Sequence, residues 1–161
     1  KWEVSGDKII VDTTQYRDFI NASIHIFRNM VDHGIESEDE RIEKAKPQSG
    51  KITLDFKLNG DSFYLNLKDD GKGINIETLK KKAVEQGIKK QEELNKLADK
   101  DLTNLIFTQG LSTKDDVSDI SGRGVGMDVV KGEVEKMGGE ITVSSKVDEG
   151  VEFSIKLPVK A

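Results

Sequence analysis

The sequence contains no cysteine among its 161 residues. This absence excludes disulfide bonds, zinc sites built on thiolates and cysteine nucleophiles, and it fits a reducing compartment. The sequence also has no apolar run long enough to cross a bilayer and no secretory signal. Basic residues are in the minority, since 25 Lys and Arg against 30 Asp and Glu give a formal net charge of −5. We therefore expect no broad nucleic-acid-binding surface.

The length of the chain is enough for one domain with a sizeable core and too small for two. We therefore interpret residues 1–161 as a single domain. The chain begins with Lys1 instead of Met, so we expect it to be a piece of a longer protein. It contains no internal repeat and no low-complexity segment.

The first 34 residues predict a strand followed by a helix. Residues 8–12 favour a short strand, and Thr13 and Thr14 after it are candidate helix caps. A helical pattern then extends from about 14 to 34, and Gly34 is a plausible end. Four apolar residues of this helix have spacings that place them on one stripe: Ile20, Ile24, Phe27 and Val31.

Alternating apolar and polar residues predict hairpins in the rest of the chain. Residues 52–58 and 63–67 alternate on either side of Asn59-Gly60-Asp61, which is a typical turn sequence. We expect a mixed, mostly antiparallel sheet with helices on one face, in place of the βαβ alternation of a dinucleotide-binding fold. The other predicted segments are a charged helical piece and loop at 35–50, helices at 77–86, 91–98 and 124–137, strands at 140–145 and 151–157, and a long segment with little regular pattern at 99–123.

The first group of residues that could carry chemistry lies on the helix at 14–34. His25, Asn29 and Asp32 share a face away from the apolar stripe, and His33 lies beside them on the next turn. Most such groups are simply a solvated helix face. The same residues would also suit a Mg²⁺-bound nucleotide, because this ion prefers oxygen ligands and the chemistry uses a nearby proton-transfer group.

The second group is Asp69-Asp70-Gly71-Lys72-Gly73, directly after the strand at 63–67. Asp and Gly are common turn residues, so this run could be a turn and nothing more. Alternatively, the strand end holds a carboxylate that accepts a hydrogen bond from an exocyclic amine, and the glycines admit the edge of a base. The glycine spacing of a dinucleotide-binding loop is absent.

The third group is Ser121-Gly-Arg-Gly-Val-Gly126, which runs into the amphipathic helix at 127–137. Glycines let the backbone approach a ligand closely, and the start of a helix offers unpaired N–H groups to an anion. A flexible loop with a glycine-rich helix entry is the simpler interpretation. The run is not a Walker motif, because the Gly-Lys-Ser/Thr ending is missing.

Together these groups resemble the ATP-binding domain of chemotaxis-type histidine kinases, part of the gyrase, chaperone, kinase and mismatch-repair (GHKL) ATPase superfamily. The resemblance covers roughly residues 8–158. It implies the Bergerat fold, an α+β two-layer α/β sandwich, with ATP and Mg²⁺ as ligands. The motifs that carry it are His-Ile-Phe-Arg-Asn-Met-Val-Asp-His-Gly at 25–34, Asp-Asp-Gly-Lys-Gly-Ile at 69–74, Gly-Leu-Ser-Thr at 110–113 and Ser-Gly-Arg-Gly-Val-Gly-Met-Asp-Val-Val-Lys at 121–131.

The resemblance assigns catalytic roles to the helix at 14–34. It implies that Asn29 coordinates Mg²⁺. It also implies that His25 lies near the γ-phosphate and helps the incoming substrate histidine lose its proton. Arg28, Asp32 and His33 complete the same wall of the nucleotide site.

The resemblance further implies that Asp69 binds the adenine amine and that Gly71 and Gly73 shape the base pocket. Residues of about 99–123 become the ATP lid. The family usually has Thr where Val151 stands, so this chain lacks a hydroxyl group near the base. The residues expected to surround the triphosphate are Ser112, Thr113, Gly122, Arg123, Gly124, Val125 and Gly126.

The implied reaction transfers the γ-phosphoryl group of ATP to a histidine on a phosphotransfer domain of the same or a partner protein. Through regions absent from this chain, the expected partners are a response regulator, a coupling protein and a receptor, at a cytoplasmic location. No nucleic-acid partner and no membrane insertion are expected. Two alternatives stay open: an ATP-gated module that hydrolyses ATP through water, and a regulatory module that binds nucleotide without transfer. The first usually carries Glu where His25 stands.

Overall fold

Five strands form one mixed sheet in the computed structural model, which describes residues 1–111 and 126–159. The strand order is β1-β2-β3-β5-β4, with β1 and β2 parallel and all other neighbours antiparallel. The strands are β1 (Trp2–Gly6), β2 (Ile52–Asn59), β3 (Ser62–Asp69), β4 (Glu140–Lys146) and β5 (Gly150–Pro158). The two predicted hairpins are confirmed.

Helices supply the second layer. The helices are α1 (Thr13–Arg28), α2 (Glu38–Glu43), α3 (Ile76–Glu85), α4 (Gln91–Leu94), α5 (Asp99–Thr103) and α6 (Met127–Lys136), with a π-helical turn at Asn29–Gly34 and a 3₁₀ turn at Asn104–Phe107. Helices α1 and α6 contact each other and share one core with the sheet. The expected two-layer α/β architecture is therefore confirmed.

Strict alternation along β3 and β5 decides which side chains enter this core. Phe63, Leu65 and Leu67 on β3 are buried, and so are the alternate apolar residues of β5 from Val151 to Leu157. The intervening residues lie on the opposite face and are polar or aromatic. Because the side-chain period of a strand is two, one register fixes every inward position at once.

The start of the chain differs from the prediction. The first strand is β1 at Trp2–Gly6, whereas residues 8–12 have no regular structure. Asp12 then caps α1, since its carboxylate accepts a hydrogen bond from the N–H of Thr14 at 2.9 Å. The apolar run at 8–12 is strand-prone, but β2 takes its parallel partner from residues 2–6.

The apolar stripe predicted for α1 does not face the core. Ile20, Ile24 and Val31 are exposed, and only Phe27 is half-buried, beneath the ring of Trp2 at a centroid distance of 5.6 Å. The core side of the helix carries a second set with equally good spacing: Tyr16, Phe19, Ala22, Ile26 and Met30. The spacing of the apolar residues correctly predicts a helix. Because this helix carries two apolar stripes, only its packing against the sheet decides which stripe is buried.

Two further segments differ from the expected structure. Residues 99–107 are helical and bury Leu102, Leu105 and Phe107, although little regular structure was predicted from residue 99 onward. The rest of the predicted lid, except Thr108 to Leu111, falls outside the described residues. The predicted helix at 91–98 is reduced to the short α4. Within the described residues, no helix is both long and apolar enough to span a membrane.

Candidate functional site

The carboxyl group of Asp69 is the centre of the candidate site. Asp69 ends β3 and continues the inward series of Phe63, Leu65 and Leu67, so it is carried into the core and is only 1% exposed. Its Oδ1 accepts hydrogen bonds from the N–H of Gly71 at 2.8 Å and from the N–H of Val151 at 3.3 Å. The second contact follows from the register, because β3 and β5 are antiparallel neighbours up to Lys68 and Glu152.

The other carboxyl oxygen, Oδ2 of Asp69, is buried and has no hydrogen-bond partner among the described residues. Burial raises the pKa of Asp69; the N–H groups of Gly71 and Val151 oppose that shift, and Asp70 and Glu36 add to it. A buried acceptor with no partner costs about 1–3 kcal/mol, so it calls for an explanation such as a ligand. A ligand that donates a hydrogen bond here, such as an exocyclic amine, would remove that cost.

Glycines pack the backbone tightly around this carboxyl group. A β-carbon at Gly71 would lie 2.2 Å from the carbonyl oxygen of Gly34, and one at Gly150 would lie 2.0 Å from that of Asp69. Gly73 has a φ of +72°, and a β-carbon there would lie 2.3 Å from the carbonyl oxygen of Lys146. Glycine at positions 71, 73 and 150 therefore lets the backbone segments around Asp69 pack more closely than any side chain would allow.

The π-helical turn at Asn29–Gly34 brings the first predicted group to the second. A β-carbon at Gly34 would lie 3.4 Å from the carbonyl oxygen of Asn29 and 3.6 Å from Oδ2 of Asp69. The N–H of Ile35 donates to the carbonyl of Met30 at 2.8 Å, which closes the wide turn. Such turns are rare and occur often at functional sites. Nothing in the residue pattern predicted this one.

The wide turn also changes the expected face of α1. His25 and Asn29 are half-buried, whereas Asp32, His33 and Arg28 are exposed. The backbone hydrogen bonds of this turn span five residues, whereas those of an α-helix span four. Residues seven apart therefore no longer lie on the same side of the helix, and Asp32 does not share a face with His25. Burial, followed by the charge of Arg28, lowers the pKa of His25.

The third predicted group is described only at its end. Gly126 is buried and precedes α6, whose residues Met127, Val130 and Val134 pack into the same core as α1. The start of α6 therefore belongs to the same helical layer as His25 and Asn29. The other predicted triphosphate contacts lie outside the described residues: Ser112, Thr113, Gly122, Arg123, Gly124 and Val125.

An ion cluster that the residue pattern does not predict lies beside Asp69 and is formed by Glu36, Arg41, Lys46 and Asp70. Arg41 is 1% exposed and contacts Glu36 at 3.1 Å and the Asp70 carboxylate at 2.8 Å. Burial alone would raise the pKa of Glu36, but the hydrogen bond from Lys46 and nearby positive charges bring it below its ordinary value. The charged run at 35–50 gave no signal of this, because charged residues usually face solvent.

A magnesium site made only of protein ligands is not found in the described residues, where no three His, Cys, Asp or Glu side chains cluster suitably. Asn29 offers an amide oxygen, which is a ligand type that Mg²⁺ accepts. Mg²⁺ usually keeps several waters and binds through few protein groups together with substrate phosphates. Asn29 fits that kind of shared coordination.

Comparison with known proteins agrees with this geometry. The sequence pattern of the family of histidine kinase-, DNA gyrase B-, and HSP90-like ATPases matches residues 20–161. The chemotaxis protein CheA of Bacillus subtilis is 40% identical over 156 residues, which cover 97% of this chain and 23% of that protein. CheA of Halobacterium salinarum is 41% identical over 97% of this chain and 23% of its own length.

A solved structure adds a likeness of fold. The mycobacterial sensor histidine kinase MprB superposes with a TM-score of 0.55 at 19% sequence identity, over 98% of this chain and 82% of that one. The chain spans less than a quarter of the length of the two CheA relatives. These similarities confirm the predicted resemblance to the ATP-binding domains of chemotaxis-type histidine kinases.

Proposed function

Since this chain belongs to the family of histidine kinase-, DNA gyrase B-, and HSP90-like ATPases, we propose that it is the catalytic domain of a protein histidine kinase. It binds ATP and transfers the γ-phosphoryl group to a histidine on a phosphotransfer domain. The whole chain, residues 1–161, acts as one such domain, and residues of about 99–123 form its ATP lid.

The observation that carries the proposal is Oδ2 of Asp69, which is buried and finds no hydrogen-bond partner in the part of the chain that the structure describes. One oxygen of this carboxylate is already held by two backbone N–H groups, so the other is fixed in place and can accept a hydrogen bond. Adenine carries an exocyclic amine at the position where guanine carries a carbonyl oxygen. The site is therefore suited to adenine, and a carbonyl oxygen opposite Oδ2 would be repelled.

The phosphate end of the nucleotide is assigned to α1 and to the start of α6. Asn29 provides an oxygen ligand for Mg²⁺, which neutralises phosphate charge when bound. The first N–H groups of α6, together with the glycines that precede it, attract a phosphate oxygen. Phosphoryl transfer depends mostly on such positioning and charge neutralisation.

His25 supports the proton balance of the transfer. An acceptor histidine must attack phosphorus with a nitrogen that carries no proton. Since the pKa of His25 is lowered by its partial burial and by Arg28, its imidazole is neutral near pH 7 and can accept a hydrogen bond or a proton. Arg28, Asp32 and His33 form the exposed rim of this wall.

The partners proposed for the full protein follow from its relatives. The donor is ATP, the acceptor is a histidine phosphotransfer domain, and a response regulator, a coupling protein and a receptor act through regions outside this chain. The proposed location is the cytoplasm, at the inner face of the membrane when receptor-bound. The two CheA relatives support a role in chemotaxis-like two-component signalling.

A binding measurement followed by a transfer assay tests the proposal. Calorimetry with Mg·ATP establishes nucleotide binding, and γ-labelled ATP with a supplied histidine phosphotransfer domain measures transfer. We expect binding and label on the acceptor domain. Label released only as inorganic phosphate would favour an ATP-gated hydrolase, and binding without any turnover would favour a regulatory module. Absence of nucleotide binding would contradict all three.

A further inference from the structure

We propose that Lys46 and Arg41 are positioning residues for the base-recognising carboxylate of Asp69. They hold the backbone of residues 70–71 in the conformation that fixes one oxygen of Asp69 and leaves the other available. This inference rests on the proposed nucleotide binding and adds two residues that neither touch the reacting atoms nor belong to the predicted site.

Lys46 forms direct hydrogen bonds with the backbone of residues 70–71. Its Nζ donates to the carbonyl oxygens of Asp70 at 2.9 Å and of Gly71 at 2.8 Å, and to Oε1 of Glu36 at 2.7 Å. All three ammonium donors are thus used, in a side chain that is only 14% exposed. An ammonium group held this way defines the position of two successive peptide units.

Arg41 holds the same segment from a second direction. Its guanidinium donates to the carbonyl oxygen of Asp70 at 3.3 Å and to Oδ2 of Asp70 at 2.8 Å. It also donates to Glu36 at 3.1 Å and, through Nε, to the carbonyl of Pro47 at 2.6 Å. Asp70 therefore has both its backbone and its side chain tied to one buried cation.

The segment held by these cations is the one that orients Asp69. The N–H of Gly71, whose carbonyl binds Lys46, is also the shorter of the two donors to Oδ1 of Asp69. On the other side, the N–H of Lys72 donates to the carbonyl of Gly34 at 2.9 Å, next to Oδ2. A shift of the 70–72 backbone would therefore rotate the carboxylate or change the room beside it.

The charged character of the cluster supports a positioning role. Buried ion pairs are weak contributors to stability, because desolvation offsets much of their attraction, and well-packed apolar residues often replace them without loss. Two buried cations that converge on two carbonyl groups of a single loop instead specify a backbone position. Their positive charge also balances Glu36 and Asp70, two carboxylates whose negative charge raises the pKa of Asp69.

The test compares nucleotide selectivity in matched variants. Lys46→Met removes the hydrogen bonds to the two carbonyl groups. Lys51→Met is the control, because among the described residues the Lys51 side chain pairs with Glu3 alone, and both side chains are partly exposed. Calorimetry measures Kd for Mg·ATP and for Mg·tripolyphosphate, which has no base. In Lys46→Met we expect ATP affinity to fall about tenfold or more, the equivalent of one misplaced hydrogen bond, with triphosphate affinity unchanged within about twofold.

A second variant distinguishes the loss of the two carbonyl contacts from general misfolding. In Glu36→Gln/Lys46→Met the pair of Glu36 and Lys46 is removed as a whole, and the two carbonyl contacts remain lost. Arg41 keeps its ion pair with Asp70 at 2.8 Å, and the amide oxygen at position 36 can still accept its hydrogen bond. It should lose ATP selectivity to the same extent as Lys46→Met and unfold thermally as the intact chain does.

Each outcome decides the matter. The inference is overturned if the double variant binds ATP as tightly as the unchanged chain does. It is also overturned if Lys46→Met loses affinity for ATP and for tripolyphosphate equally. An equal loss of ATP affinity in Lys51→Met would overturn it as well, by showing a general charge effect. Failure of the unchanged chain to bind ATP would instead overturn the proposed function, and this inference with it.

Discussion

The N–H of Val151 donates to Oδ1 of Asp69 at 3.3 Å, although the two residues lie 82 positions apart in the chain. This contact joins the end of β3 to the start of β5 and uses only backbone atoms of Val151. The bond would therefore form with any residue other than proline at that position. The absence of a hydroxyl group from the side chain of Val151 therefore leaves this support for the carboxylate intact.

Asp69→Asn is expected to weaken ATP far more than tripolyphosphate. The amide nitrogen that replaces Oδ2 donates instead of accepting, so an exocyclic amine opposite it loses a hydrogen bond to a charged group. Such a bond contributes about 1.5–3 kcal/mol, which corresponds to at least about a tenfold rise in Kd for ATP. Calorimetry with both ligands measures the difference.

Asp61→Asn is the matched control, because Asp61 lies exposed in the turn between β2 and β3. It should leave both affinities unchanged. Equal weakening of ATP and tripolyphosphate in Asp69→Asn would contradict the assignment of Asp69 to the base.

Asn29→Ala is expected to abolish Mg·ATP-dependent transfer without unfolding the domain. Removal of an oxygen ligand for the metal takes several kcal/mol from charge stabilisation, so the transfer rate should fall about a hundredfold or more. The residue is half-buried, and the free energy of unfolding should change by about 1 kcal/mol at most.

The control for this change is Asn21→Ala, which removes an exposed asparagine of α1 about two turns before Asn29. Transfer to a supplied phosphotransfer domain should then proceed normally. An undiminished transfer rate in Asn29→Ala would contradict the assignment of Asn29 as a ligand of Mg²⁺.

The pH dependence of transfer is expected to reflect His25. Burial and Arg28 lower its pKa from 6.5, so the neutral imidazole persists to more acidic pH, and the fall in rate attributable to His25 should lie below pH 6.5. Removal of the positive charge in Arg28→Gln should raise the pKa of His25 and move that limb to higher pH. Single-turnover rates from pH 5 to 8, with one acceptor domain throughout, measure the shift.

An acid limb that stays in place in Arg28→Gln would show that His25 does not control it. In that case the titration of the acceptor histidine itself would explain the limb. His25→Gln should remove the contribution of His25 and leave only the acceptor's own titration.

Two isoleucines of α1 test which side of the helix is buried. Ile26 is fully buried, and Ile24 on the other side is 54% exposed. Ile26→Ala should lower the free energy of unfolding by about 2–5 kcal/mol, as large-to-small core substitutions do. Ile24→Ala should lower it by less than about 1 kcal/mol. Urea denaturation of both variants gives the comparison, and equal losses would contradict the orientation of α1.

Patterns along the chain predicted most of the regular elements correctly. The hairpin at β2 and β3, the helix after Gly126 and the final two strands all appear near their predicted bounds. They were predictable because alternation, turn residues and helix punctuation are local signals. The first strand and the helices at 99–107 were missed, since their pairing or packing partners, not their own residues, decide their structure.

The sequence by itself determined the family, the residue types of the site and the presence of a carboxylate beside glycines at the end of a strand. Only the tertiary structure decided that this carboxylate is buried with one oxygen unpartnered, because that depends on the register between β3 and β5. It alone revealed the π-helical turn at Asn29 and the hydrogen bonds from Lys46 and Arg41 to residues 70–71. Such contacts join residues distant in the chain, and no local pattern encodes the distance between them.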